Sequence, residues 1–104
     1  MEYEQLTQEY RDDHLAEAMY GREAEWFHYD FDRINFEKML RSDVSKEVRA
    51  DLQKRLRETI GQMRMVECVY AALKSQIVDD AAHRRAVKRA EVKRALANDL
   101  SRKQ

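Results

Sequence analysis

The stretch that decides the fold is residues 45–77, which read SKEVRADLQKRLRETIGQMRMVECVYAALKSQI. Its apolar positions recur at steps that alternate between four and three residues: Leu52, Leu56, Thr59, Met63, Val66, Tyr70, Leu73 and Ile77. This spacing keeps one seam on one side of an α-helix about 50 Å long, and other helices must cover such a seam. The stretch is therefore predicted to be the central rod of a helical hairpin or bundle.

The composition also favours long helices. The 104 residues include no proline and two glycines, and 38% of them are charged against 43% hydrophobic. Such a balance is typical of helices with solvated outer faces, and this length is typical of one domain. We expect an all-α domain over residues 1–104, a long antiparallel hairpin of helices 2–41 and 45–78 with a shorter basic helix at 81–98. The turn is predicted at residues 42–45, and Asp79 or Asp80 is predicted to cap the third helix.

The back half of the first helix has two apolar seams. One contains Met19, Trp26, Tyr29, Phe36 and Leu40, and the other contains Tyr20, Ala24, Phe27, Phe31 and Ile34. They lie more than about 90° apart around a helix, so this helix needs two partners, and the rod supplies one. The second seam therefore indicates that the chain forms a homo-oligomer of the coiled-coil type or binds another protein. The alternation at residues 27–31 leaves a short strand as an alternative.

An aromatic cluster with one arginine is the predicted interface: Tyr20, Trp26, Phe27, Tyr29, Phe31, Arg33 and Phe36. Trp, Tyr and Arg are the residues that most often anchor protein interfaces. Two alternatives stay open at this point. The cluster is the closed core of the hairpin, or it stacks on a nucleotide whose phosphates are held by arginines.

The charge is distributed asymmetrically. Residues 1–43 carry twelve acids and five bases, a net charge of −7, and residues 81–104 carry eight bases and two acids, a net charge of +6. The basic residues of interest are Arg84, Arg85, Lys88, Arg89, Lys93 and Arg94. These cations either dock on the acidic front of the first helix or bind the phosphates of a nucleic acid.

Other features indicate few further sites. Glu25 with His28, and Asp80 with His83, have the three-residue spacing used in carboxylate and histidine metal bundles, which makes a metal site a third hypothesis. We nevertheless expect no metal, no cofactor and no enzyme, because the sequence lacks a phosphate-binding glycine loop and a nucleophile with its base. The lone Cys68 is predicted to be a small buried hydrophobe.

The expected location is the cytoplasm without membrane contact, since no long apolar run is present and the first residues are too acidic for a signal peptide. The leading hypothesis is a non-catalytic interaction protein, an adaptor or inhibitor, that acts as a helical oligomer. Nucleic-acid binding through the basic helix is the alternative.

Overall fold

The computed structural model describes residues 2–102, apart from the side chains of residues 2, 3, 5 and 6. Three helices account for most of this range: α1 (Glu2–Arg41), α2 (Lys46–Lys74) and α3 (Asp80–Arg102). The all-α prediction is confirmed, and residues 27–31 are helical, so the strand alternative is wrong. None of these three helices is long and apolar enough to cross a membrane.

Polar side chains define the helix boundaries. The Ser45 hydroxyl accepts a hydrogen bond of 3.3 Å from the backbone N–H of Val48, which makes Ser45 the cap of α2. At the start of α3, Oδ1 of Asp79 accepts hydrogen bonds from the backbone N–H groups of Ala81 and Ala82, at 2.9 and 3.3 Å. Asp79 rather than Asp80 is therefore the cap of α3.

Two helix boundaries differ from the prediction by four residues. Helix α2 ends at Lys74 rather than at residue 78, because the N–H groups of Gln76 and Ile77 turn back to the carbonyls of Leu73 and Lys74. These three-residue hydrogen bonds tighten the chain and end the helix before the next cap. Helix α3 continues to Arg102, four residues past the predicted end.

The described chain divides into two compact units. The first, the hairpin unit (Gly21–Ala72), pairs the back half of α1 with α2. Its contacts join Glu23 to Tyr70 and Trp26 to Glu67, so the numbers fall along α2 as they rise along α1, and the helices are antiparallel. Within this unit the predicted seam is buried at Leu52, Met63 and Val66 and half-buried at Leu56, Thr59 and Tyr70.

The second, the terminal unit, joins the front half of α1, as far as Tyr20, to the chain from Leu73 onward. Its buried residues are small or flexible: Ala16, Met19, Ala86 and Ala90. Ala86 has no exposed surface at all. Ion pairs join Asp13 to Arg89 and Glu17 to Lys93, so α3 runs parallel to this part of α1.

The prediction that Cys68 is buried is wrong, because its side chain is exposed. The seam residue Val66 faces α1, and two further residues along a helix turn a side chain by about 200°. Cys68 therefore lies on the side of α2 that faces away from α1.

Candidate interaction surface

The structure separates the two seams of α1 by burial. The first seam is half-buried at Trp26, Tyr29 and Phe36, on the side of α1 that packs against α2. On the second seam Phe27 is 65% exposed and Phe31 is 64% exposed. The exposed residues of this seam within the hairpin unit, Ala24, Phe27, Phe31 and Ile34, are called the Phe27 face below.

Two hydrogen bonds between side chains tie this part of α1 to α2. The indole Nε1 of Trp26 donates to Oε1 of Glu67, and the hydroxyl of Tyr70 donates to Oε1 of Glu23, both at 3.0 Å. Partial burial raises the pKa of Tyr70, and the hydrogen bond to Glu23 and its negative charge add to that shift. The rings of Trp26 and Phe27 are nearly perpendicular, at 86°, with their centroids 5.4 Å apart.

These residues border an open cleft between α1 and α2. It has a volume of about 450 Å³. Its lining consists of Arg22, Glu23, Trp26, Phe27, Val66, Glu67 and Tyr70. Three aromatic rings and two carboxylates thus surround one space in the hairpin unit, an arrangement that brings together residues more than 40 positions apart in the sequence.

The arginines beside the aromatic residues are already engaged by acids. Arg22 lies 2.7 Å from Glu25, and Arg33 lies 2.8 Å from Asp30 and 2.9 Å from Glu37. Hydrogen bonds to these two acids raise the pKa of Arg33. Positive charge held by such pairs is less available to a phosphate, which counts against the nucleotide alternative for this cluster.

Helix α2 also carries exposed apolar side chains outside its buried seam, on its flank and on the side away from α1. Met65 is 64% exposed and Val69 is 45% exposed, and Cys68 lies between them in the sequence. A Cβ atom added to Gly61 on the same side would meet nothing within 4 Å. These residues lie outside the seam that the four-and-three repeat predicts for the rod.

Half of the basic cluster on α3 is engaged within the terminal unit. Arg89 and Lys93 lie 2.7 and 3.7 Å from the carboxylates of Asp13 and Glu17. The hydrogen bond to Asp13, with further negative charge nearby, raises the pKa of Arg89. The guanidinium of Arg94 lies 3.6 Å from the centroid of the Tyr20 ring, a cation–π contact.

The other half of the basic cluster faces outward. Arg84, Arg85 and Lys88 are exposed, and no described side chain forms an ion pair with them. Beyond them Val92 and Leu96 are 53% and 60% exposed, a continuation of this face that sequence analysis missed.

Glu25 and His28, one of the two predicted metal pairs, each have another charged neighbour on α1. Glu25 pairs with Arg22, whereas Nε2 of His28 lies 3.8 Å from Oδ2 of Asp32. The described residues include no group of three or more His, Cys, Asp or Glu side chains placed to hold a metal ion.

No protein-family model, curated protein or solved structure matches this chain. The functional interpretation therefore depends on the geometry described above.

Sequence reasoning did not predict that Glu23, Glu67 and Tyr70 line one cleft. The four-and-three repeat places Tyr70 in the seam, whereas Glu67 lies off it. Their proximity depends on the register of α1 against α2, and no local sequence signal specifies that register.

Proposed function

We propose that this chain is a non-catalytic interaction protein, an adaptor or inhibitor, that works through the Phe27 face and assembles as a helical oligomer. One observation carries the proposal. Phe27 and Phe31 lie four residues apart, each about two-thirds exposed, on a helix whose opposite side is already packed. Burying a phenylalanine side chain is worth about 1.5–3 kcal/mol, so a partner that covers both gains substantial binding free energy.

A second apolar surface supports assembly. Met65 and Val69 are exposed on α2, and contiguous exposed apolar surface generally marks contact with another macromolecule. Self-association would use the Phe27 face, this side of α2, or both.

The test is the solution mass of the full chain by light scattering at low and high salt. Phe27→Gln with Phe31→Gln keeps helix propensity and removes the aromatic surface. The matched control is Tyr10→Gln, because Tyr10 lies on the same helix and is also 65% exposed. We expect the double variant to lower the mass, or to abolish capture of a partner by an otherwise monomeric chain, while the control behaves as the wild type. An unchanged mass together with unchanged partner capture would contradict the proposal.

Nucleic-acid binding is the second candidate, and the exposure of Arg84, Arg85 and Lys88 favours it. Three cations are a small footprint, so affinity should fall with the logarithm of salt concentration at a slope of about −3 or shallower. Replacing all three residues with glutamine should remove binding. If the triple variant binds as the wild type does, the candidate fails.

A further inference from the structure

We propose that the cleft between α1 and α2 binds a positively charged side chain, arginine or lysine, of a partner protein. The inference rests on the proposed function, since it names the chemistry that this interaction surface recognises.

The aromatic walls are the first reason. Trp26, Phe27 and Tyr70 all line the cleft, and the faces of such rings attract cations, most strongly for tryptophan. The lining is otherwise apolar at Val66, which is 7% exposed. A cation in this space therefore rests against rings and aliphatic surface, where electrostatic attraction is screened less than in open water.

The carboxylates are the second reason. Glu23 and Glu67 line the same cleft. Glu23 accepts a hydrogen bond from Tyr70, and Glu67 accepts one from Trp26. A carboxylate has room for about four hydrogen bonds, so each keeps capacity for a guanidinium or ammonium donor. The bonds from Trp26 and Tyr70 also hold the two carboxylates in place before a ligand arrives.

The charge balance is the third reason. Arg22 is the one cation of the lining, and Glu25 holds it at 2.7 Å. Within the lining, Glu23 and Glu67 contribute two negative charges against this single positive charge, a net charge of −1, and Glu25 outside the lining offsets the charge of Arg22. An anionic ligand would meet this excess of carboxylates, whereas an arginine or lysine side chain complements it.

The neighbouring Phe27 face extends the recognition. Phe27 belongs both to the cleft and to that exposed face, on which Phe31 lies one helical turn farther along. A partner segment that inserts a basic side chain into the cleft would thus place adjoining apolar residues against Phe27 and Phe31.

The direct test uses Trp26, the single tryptophan of the chain. Its indole N–H signal in a ¹H–¹⁵N spectrum, and its fluorescence, report on the cleft alone. The probes are acetyl-Gly-Arg-Gly-amide and the same peptide with citrulline, which has nearly the shape of arginine but no charge. We expect the arginine peptide to shift the indole signal in a saturable way and to bind about tenfold more tightly than the citrulline peptide.

Variants identify the carboxylates. Glu67→Gln and Glu23→Gln keep an oxygen to accept the existing hydrogen bonds but remove the charge, and each should weaken binding of the arginine peptide several-fold. Glu58→Gln is the matched control, because Glu58 is an exposed glutamate of α2 outside the cleft. Equal binding of the two peptides, equal loss in Glu58→Gln and Glu67→Gln, or tighter binding of an adenine nucleotide than of the arginine peptide would overturn the inference.

The peptide titration tests the cleft separately from the Phe27 face, on which the proposed function depends. Phe31 lies outside the cleft lining, so Phe31→Gln should leave arginine-peptide affinity within about twofold of wild type while impairing assembly or partner capture. Failure of the peptide titration with an intact effect of Phe31→Gln would remove the inference and leave the interaction surface. If the arginine peptide binds as expected but Phe31→Gln leaves assembly and partner capture unchanged, the proposed role of the Phe27 face is contradicted and the cleft remains a binding site.

Discussion

Tyr70 donates its hydroxyl hydrogen to Glu23 across the two helices of the hairpin unit, at 3.0 Å. Three residues farther along α1, and three residues earlier along α2, Trp26 donates to Glu67 at the same distance. Each helix thus supplies one aromatic donor and one carboxylate acceptor. Both bonds fit only this antiparallel register, because a slip of α2 by one residue would break both of them.

Removal of the Tyr70 hydroxyl should therefore destabilise the hairpin unit. We expect Tyr70→Phe to lower the free energy of unfolding by about 1 kcal/mol, the usual value for one hydrogen bond that is partly open to solvent. Urea unfolding followed by circular dichroism measures this change. Tyr10→Phe is the control, and because Tyr10 is exposed its effect should stay within about 0.5 kcal/mol.

The same residue predicts a loss of stability at alkaline pH. The pKa of Tyr70 is raised above its ordinary value of 10.0, chiefly by burial and also by Glu23. A raised folded-state pKa stabilises the fold fully below the unfolded pKa, and this contribution disappears as the pH rises through the folded pKa. As the pH rises above about 10, the wild type should lose more stability than Tyr70→Phe. Parallel curves for the two proteins would exclude a role for this ionisation.

The ion pair of Asp13 and Arg89 should guide the docking of α3 rather than dominate its stability. Both side chains are substantially exposed, at 48% and 41%. A double-mutant cycle with Asp13→Asn and Arg89→Gln should give a coupling energy of about 0.2–1 kcal/mol that shrinks between about 0.1 and 1 M salt. A coupling above about 2 kcal/mol that ignores salt would show a buried interaction instead.

Ala86 should tolerate no larger side chain, because it has no exposed surface where α3 packs in the terminal unit. We expect Ala86→Leu to cost about 1–3 kcal/mol through overpacking. Ala95→Leu adds the same atoms at an exposed position of α3 and should change the free energy of unfolding by less than about 0.5 kcal/mol. Thermal unfolding of both variants measures the contrast.

Gly61→Ala should stabilise the chain, since an added Cβ meets nothing within 4 Å and alanine has the higher helix propensity. The expected gain is about 0.5–1 kcal/mol in chemical unfolding of dilute protein. A loss of stability, or a change in solution mass, would instead indicate that this side of α2 packs closely against a second chain.

The local sequence pattern predicted some features of the fold, and tertiary packing set the others. The four-and-three repeat around Met63 predicted the buried side of α2, because a helix turns by a constant angle and so converts spacing into direction. Capping chemistry likewise located the turn at residues 42–45 and narrowed the start of α3 to two neighbouring aspartates, since a cap is a contact within a few residues. The opposite charges of residues 1–43 and 81–104 made docking of α3 on the front of α1 one of two alternatives, and the Asp13–Arg89 ion pair shows that they meet. Residue type alone predicts a buried Cys68, whereas its position two residues after Val66 turns it away from α1.

The sequence by itself determined the three helices, the covered side of α2 and the excess apolar surface on α1, all of which follow from helical geometry and short-range chemistry. The tertiary structure decided how the aromatic cluster divides, with Trp26 packed against α2 and Phe27 left exposed. It also decided that Glu23, Glu67 and Tyr70 share one cleft. These contacts depend on the register between helices, which the packing of many side chains sets jointly and no single segment encodes.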